Sequence, residues 1–140
     1  MKIMTVTDFH KGNYSDFASE ITLWEEEVRL SVDIPEVENS TLEQCIEKVN
    51  QKLSWLDENK SVIVEAILDS NVFSNIQEWT SEAVTRDDFS KTLEPIELGI
   101  SFKWNLMDIY IGCNQDYFSG HCICVYVNDE NEVTSCGLEG

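Results

Sequence analysis

Basic residues are scarce in this sequence. Nine Lys and Arg stand against 27 Asp and Glu, a net charge of −18, and no Lys or Arg follows Lys103. Such a surface repels phosphate backbones and anionic lipid heads, so nucleic acid and membrane are excluded as partners. No apolar run approaches a membrane span. Met1 to Tyr14 has no apolar signal-peptide core, and the five cysteines are an odd number, so free thiols in a reducing cytoplasm are expected. There are only two Pro, Pro35 and Pro95, and no linker or repeat. That predicts one domain over 1–140, with 1–15 as a loosely ordered tail. Only two His occur, and no Walker A loop, Gly-x-Gly-x-x-Gly, His-Glu-x-x-His or nucleophile elbow is present.

What is present is a foldable core pattern. Apolar residues make up 42% of the chain, enough for a packed globule at this length. Ile21 and Leu23, then Val28, Leu30, Val32 and Ile34, alternate with polar neighbours and predict a hairpin turning at Trp24–Glu27. Ser40 and Glu43 fit a capping box opening a helix whose Leu42, Cys45, Ile46, Val49, Leu53 and Leu56 share one face. Asp57–Asn59 ends it. A second helix over Ser61–Asp69 is apolar nearly all round and predicted to be well buried. The pattern does not decide residues 70–84, where Phe73, Ile76 and Trp79 are the anchors. Thr85 caps a short third helix ending near Leu93.

Four strands follow, at Ile96–Trp104, Leu106–Cys113, Cys122–Val127 and Val133–Leu138, with a turn at Asn128–Asn131. Placing Ile111 opposite Ile123 also sets Ile109 opposite Val125. The other face, with Tyr110, Cys122, Cys124 and Tyr126, is not frankly polar, so this strand pair is expected to be central with its second face at least partly covered. The fold class is therefore α+β: a curved antiparallel sheet of five or six strands with an N-terminal hairpin, two or three inserted helices on one face, and a C-terminal meander. The expected core contains Leu42, Ile46, Val49, Leu53, Ile67, Leu98, Ile100, Ile109, Ile111, Ile123 and Val125.

The segment Asp116-Tyr117-Phe118-Ser119-Gly120-His121-Cys122-Ile123 joins two strands. Read functionally, His121 is a general base or ligand oriented by Asp116. Read structurally, Asp116 bonds loop amides, Phe118 plugs the core, Gly120 supplies a positive φ, and His121 bonds a backbone carbonyl. With the element order, the matches at Asp116, Phe118, Gly120, His121 and Ile123 resemble an uncharacterised bacterial family, domain of unknown function 2262. Ser119 stands where that family often has Trp, and Cys122 where it usually has Ser. The resemblance spans roughly residues 16–140 and implies this fold and a bacterial origin, and no activity.

Two further constellations are candidate sites. If Val127 pairs with Val133, Cys136 lies opposite Cys124, and Cys122, Cys124 and Cys136 become a candidate soft-metal cluster. Packing as small hydrophobes is the other reading, with no metal and no cofactor. Between Asp16 and Glu47, ten acids meet one base, Arg29. Glu25, Glu26, Glu27, Asp33, Glu36 and Glu38 are the candidate partner-binding residues, on an edge that attracts a basic protein. The leading functional expectation is a non-catalytic acidic protein-binding module, in its sharpest form an immunity or antitoxin-like inhibitor of a basic partner. The alternatives are a small hydrolase or metal-dependent enzyme centred on His121, and a structural or assembly protein.

Overall fold

The computed structural model describes residues 1–140. Its seven strands form one curved sheet in sequence order. They are β1 (His10–Lys11), β2 (Phe17–Leu23), β3 (Glu26–Asp33), β4 (Leu93–Ser101), β5 (Leu106–Cys113), β6 (Cys122–Asn128) and β7 (Val133–Glu139). Between β3 and β4 lie α1 (Leu42–Glu58), α2 (Lys60–Leu68), α3 (Asn71–Ser74) and α4 (Arg86–Ser90). No helix is long and apolar enough to cross a membrane.

The expectation of five or six strands is corrected to seven. The extra strand is β1, whose two residues are too short to show a period of two. The sheet is also not wholly antiparallel, because β3 and β4 pair in parallel, with Leu30 opposite Leu98 and Val32 opposite Ile100. A parallel pair needs a long crossover, and the helices of residues 34–92 supply it. The helices number four rather than two or three, because α3 is a single turn inside the undecided segment.

Alternation along the strands sorts the two faces. Leu23, Val28, Leu30, Leu98, Ile109, Ile123 and Val125 point inward and join α1, α2 and α4 in one cluster of 28 buried residues. The predicted pairs Ile111–Ile123 and Ile109–Val125 are observed. Ile96 is an exception to the predicted alternation. A bulge between Pro95 and Glu97 turns it outward, where it covers Gly112 and stays 43% exposed. Ile46, expected in the core, is only half-buried. The outer face of the β5–β6 pair is partly covered, as expected: Cys124 is buried there, flanked by the sheet's own half-buried Tyr110 and Tyr126.

Local chemistry explains the helix ends. The first cap is Thr41 with Gln44, one residue beyond the predicted Ser40–Glu43 box: Gln44 N–H donates to Thr41 Oγ1 and Thr41 N–H to Gln44 Oε1. Thr85 caps α4 through the amide of Asp88, and that helix ends at Ser90. The second helix is less enclosed than its composition suggests. Ile63, Ile67 and Leu68 are buried, and Val62 is exposed. Within residues 1–15, expected as a loose tail, Met4 and the short β1 make contacts with the domain. Met4 is buried, and its N–H and C=O are both met by the Asn50 amide at 2.8 and 2.9 Å.

Candidate functional site

The loop between β5 and β6 brings the motif residues together in a particular way. Ser119 and Gly120 adopt positive φ, 53° and 86°, which turns the chain back on itself. The Gly120 N–H donates to Asp116 Oδ1 at 2.8 Å, closing the loop. Phe118 is buried at the centre of an aromatic cluster, edge-on to Trp79 and Phe89 at centroid distances of 5.8 and 6.1 Å.

His121 is placed by the same loop and is exposed. Its Nδ1 lies 2.8 Å from the Phe118 carbonyl oxygen, which can only accept, so Nδ1 carries the proton. Its ring lies against Gly140, where any side chain would collide with it, and 5.2 Å from Trp79. Asp116 is bonded to Gly120 and does not orient the imidazole. A His–carboxylate dyad requires the opposite arrangement, with the acid holding one ring nitrogen and the other free to face a substrate. Trp79, which packs on both Phe118 and His121, was visible in the sequence only as an aromatic anchor in an undecided stretch. We expect His121→Ala to cost about 0.5–1.5 kcal/mol in urea unfolding, the value of one exposed-side hydrogen bond. Loss of a measurable activity at unchanged stability would instead point to chemistry at this ring.

The cysteines do not converge. Val127 does pair with Val133, as the metal reading assumed, but a bulge between Tyr126 and Val127 shifts everything beyond it. Cys136 falls opposite Val125 and Cys124 opposite Gly137. Cys136 therefore packs on the core face, while Cys122 and Cys124 stay on the outer face. Thr134 is the extra residue, its hydroxyl donating to the Tyr126 carbonyl at 3.4 Å. Burial pushes all five thiols up, Cys113 and Cys124 to about 11. All five are protonated near neutral pH and are weak nucleophiles.

The six candidate acids split into two groups. Leu23 pairs with Glu26, so the turn is the two residues Trp24 and Glu25, both with positive φ, 51° and 70°. This is a type I′ hairpin, whose twist matches that of the strands. Glu25, Glu26 and Glu27 lie at this end and are exposed. Asp33, Glu36 and Glu38 lie at or beyond the far end of β3, about 23 Å away at 3.3 Å per residue. Two of the far group are already engaged. Asp33 accepts from the Asp16 N–H at 2.9 Å, and Glu36 pairs with Lys103 at 2.7 Å. The predicted continuous edge is thus two separate patches.

The hairpin end borders a groove of about 370 Å³. Glu20, Thr22, Trp24, Glu25, Glu27 and Asp57 line it, together with Met1, Lys2 and Met4. Trp24 Nε1 donates to the Leu56 carbonyl at 3.0 Å, which pins the turn to the end of α1. On the outer sheet face Asp108 lies over Gly99, whose missing side chain makes the room. Burial there holds the Asp108 carboxyl above the usual carboxylate range.

No curated protein and no solved structure matches the chain. A family model, described as an uncharacterised protein conserved in bacteria, matches residues 9–138, which carry the sheet from β1 into β7, all four helices and the Asp116–Ile123 loop. The chain belongs to that bacterial family, domain of unknown function 2262.

Proposed function

We propose that this protein is a non-catalytic, acidic protein-binding module whose basic partner docks at the hairpin end of the sheet. The observation that carries this reading is the groove at that end, walled by Glu20, Glu25, Glu27 and Asp57. Like charges gathered on a rigid I′ turn repel one another, and a cationic partner relieves that repulsion while being steered in by the field. The far patch contributes less, because Asp33 and Glu36 are already bonded. The engagement of Asp116 and His121 by loop backbone supports a structural role for Asp116, Phe118, Gly120 and His121. An immunity or antitoxin-like inhibitor of a basic toxin is the concrete form this module would take.

The test compares wild type with a Glu25/Glu26/Glu27→Gln variant of equal melting temperature in a pull-down from the native host. The expected result is a basic protein retained by wild type, lost from the variant, and bound more slowly as salt rises. Equal retrieval by both proteins, or no basic protein in either, overturns the reading.

A further inference from the structure

β2 is longer than the strand that covers it. β1 pairs only with Ala18 and Phe17, so from Ser19 to Leu23 the edge of β2 away from β3 carries no strand. The hairpin determines which groups lie on that edge. In a two-residue hairpin the residues flanking the loop exchange both backbone hydrogen bonds, and bonded and non-bonded pairs then alternate along the strand. Leu23 and Glu26 flank the loop, so Leu23, Ile21 and Ser19 turn their N–H and C=O groups toward β3. Glu20 and Thr22 turn theirs outward. Neither residue takes part in any backbone hydrogen bond outside the helices and strand ladders. Both line the acidic groove.

We propose that this edge receives an extended, lysine- or arginine-bearing peptide segment as an added strand, paired through the backbone of Glu20 and Thr22. The proposal rests on the reading of the protein as an acidic binding module and names how the partner is held. An open strand edge is a template for another chain, and strand addition draws affinity from main-chain bonds and specificity from alternate side chains. The carboxylates of Glu20, Glu25, Glu27 and Asp57 set the sign of the guest's charge. The lysine on the groove wall, Lys2, is already paired with Asp8 at 3.2 Å. A second copy of this chain is disfavoured as the guest, because each copy carries a net charge of −18.

Amide hydrogen exchange on the full-length protein tests this with three synthetic peptides. The first alternates Lys and Val. The second has the same sequence, N-methylated at alternate backbone nitrogens so that it keeps its charge and loses its donors. The third replaces Lys by Thr. The alternating Lys–Val peptide, at ten times its Kd, is expected to slow exchange at Glu20 and Thr22 about tenfold, as mass action requires, and the other two to do so far less. Equal protection by the methylated peptide overturns strand addition and leaves the acidic-module reading standing. Equal protection by the Thr peptide supports the strand site and overturns the charge reading. Protection by none of the three overturns both.

Discussion

Phe118→Ala is expected to lower the unfolding free energy by about 3–5 kcal/mol, the cost of removing a large aromatic from a well-packed core. The ring is 1% exposed and bounded by Trp79, Phe89 and Tyr117. Phe89 is itself wholly buried and also stacks on Phe73, so the void would persist. The same ring anchors the loop that Asp116 closes, so its loss also frees Ser119 and Gly120 from their positive φ. Phe118→Leu keeps most of the volume and should cost less than half as much. Urea unfolding of the three proteins measures both values. A loss below about 1 kcal/mol for the Ala variant would mean that the loop collapses onto the void and that Phe118 is not its anchor.

Asp129→Asn should cost about 2–3 kcal/mol at neutral pH, because it strands an enclosed ammonium. Lys52 lies on the buried stripe of α1, only 6% exposed, and its Nζ reaches Asp129 Oδ1 at 3.0 Å in the turn between β6 and β7. Lys48 reaches the same carboxylate at 3.2 Å. The figure is set below that of a wholly buried pair because Asp129 keeps 42% of its side-chain exposure and is screened by solvent. The hydrogen bonds from Lys52 and Lys48 hold the Asp129 carboxyl below the usual range. A carboxylate lowered in the folded state binds fewer protons there than in the unfolded chain. Its contribution is therefore full above the unfolded value near 3.8 and is lost as pH falls below it. Wild type and variant should differ most above pH 5 and converge in acid. A difference independent of pH would show that the charge pair is not its source.

Much of the core was legible in the sequence because burial leaves a period. The two-residue period of Val28 to Val32 and of Ile109 to Ile111 marks inward faces, and the stripe of Leu42, Cys45, Val49, Leu53 and Leu56 marks the buried side of a helix. Matching apolar faces was enough to set the β5–β6 register. Alternation fails where the ladder gains a residue. The bulge at Ile96 reverses its face, and the bulge beside Thr134 separates Cys136 from Cys124. A bulge changes no composition, so nothing in the residue types announces it.

Composition and local pattern determined the acidity, the α+β class and the caps of α1 and α4 to within one residue. These depend on near neighbours along the chain. Only the tertiary structure decided that β3 and β4 run parallel, that Trp79 covers Phe118 and His121, and that the acids of one short segment divide between two ends of a strand. It also decided that β1 stops short and leaves Glu20 and Thr22 on an open edge. Pairing partners 60 or more residues apart, such as Leu30 and Leu98, are chosen by how whole surfaces fit, and that choice leaves no local signature.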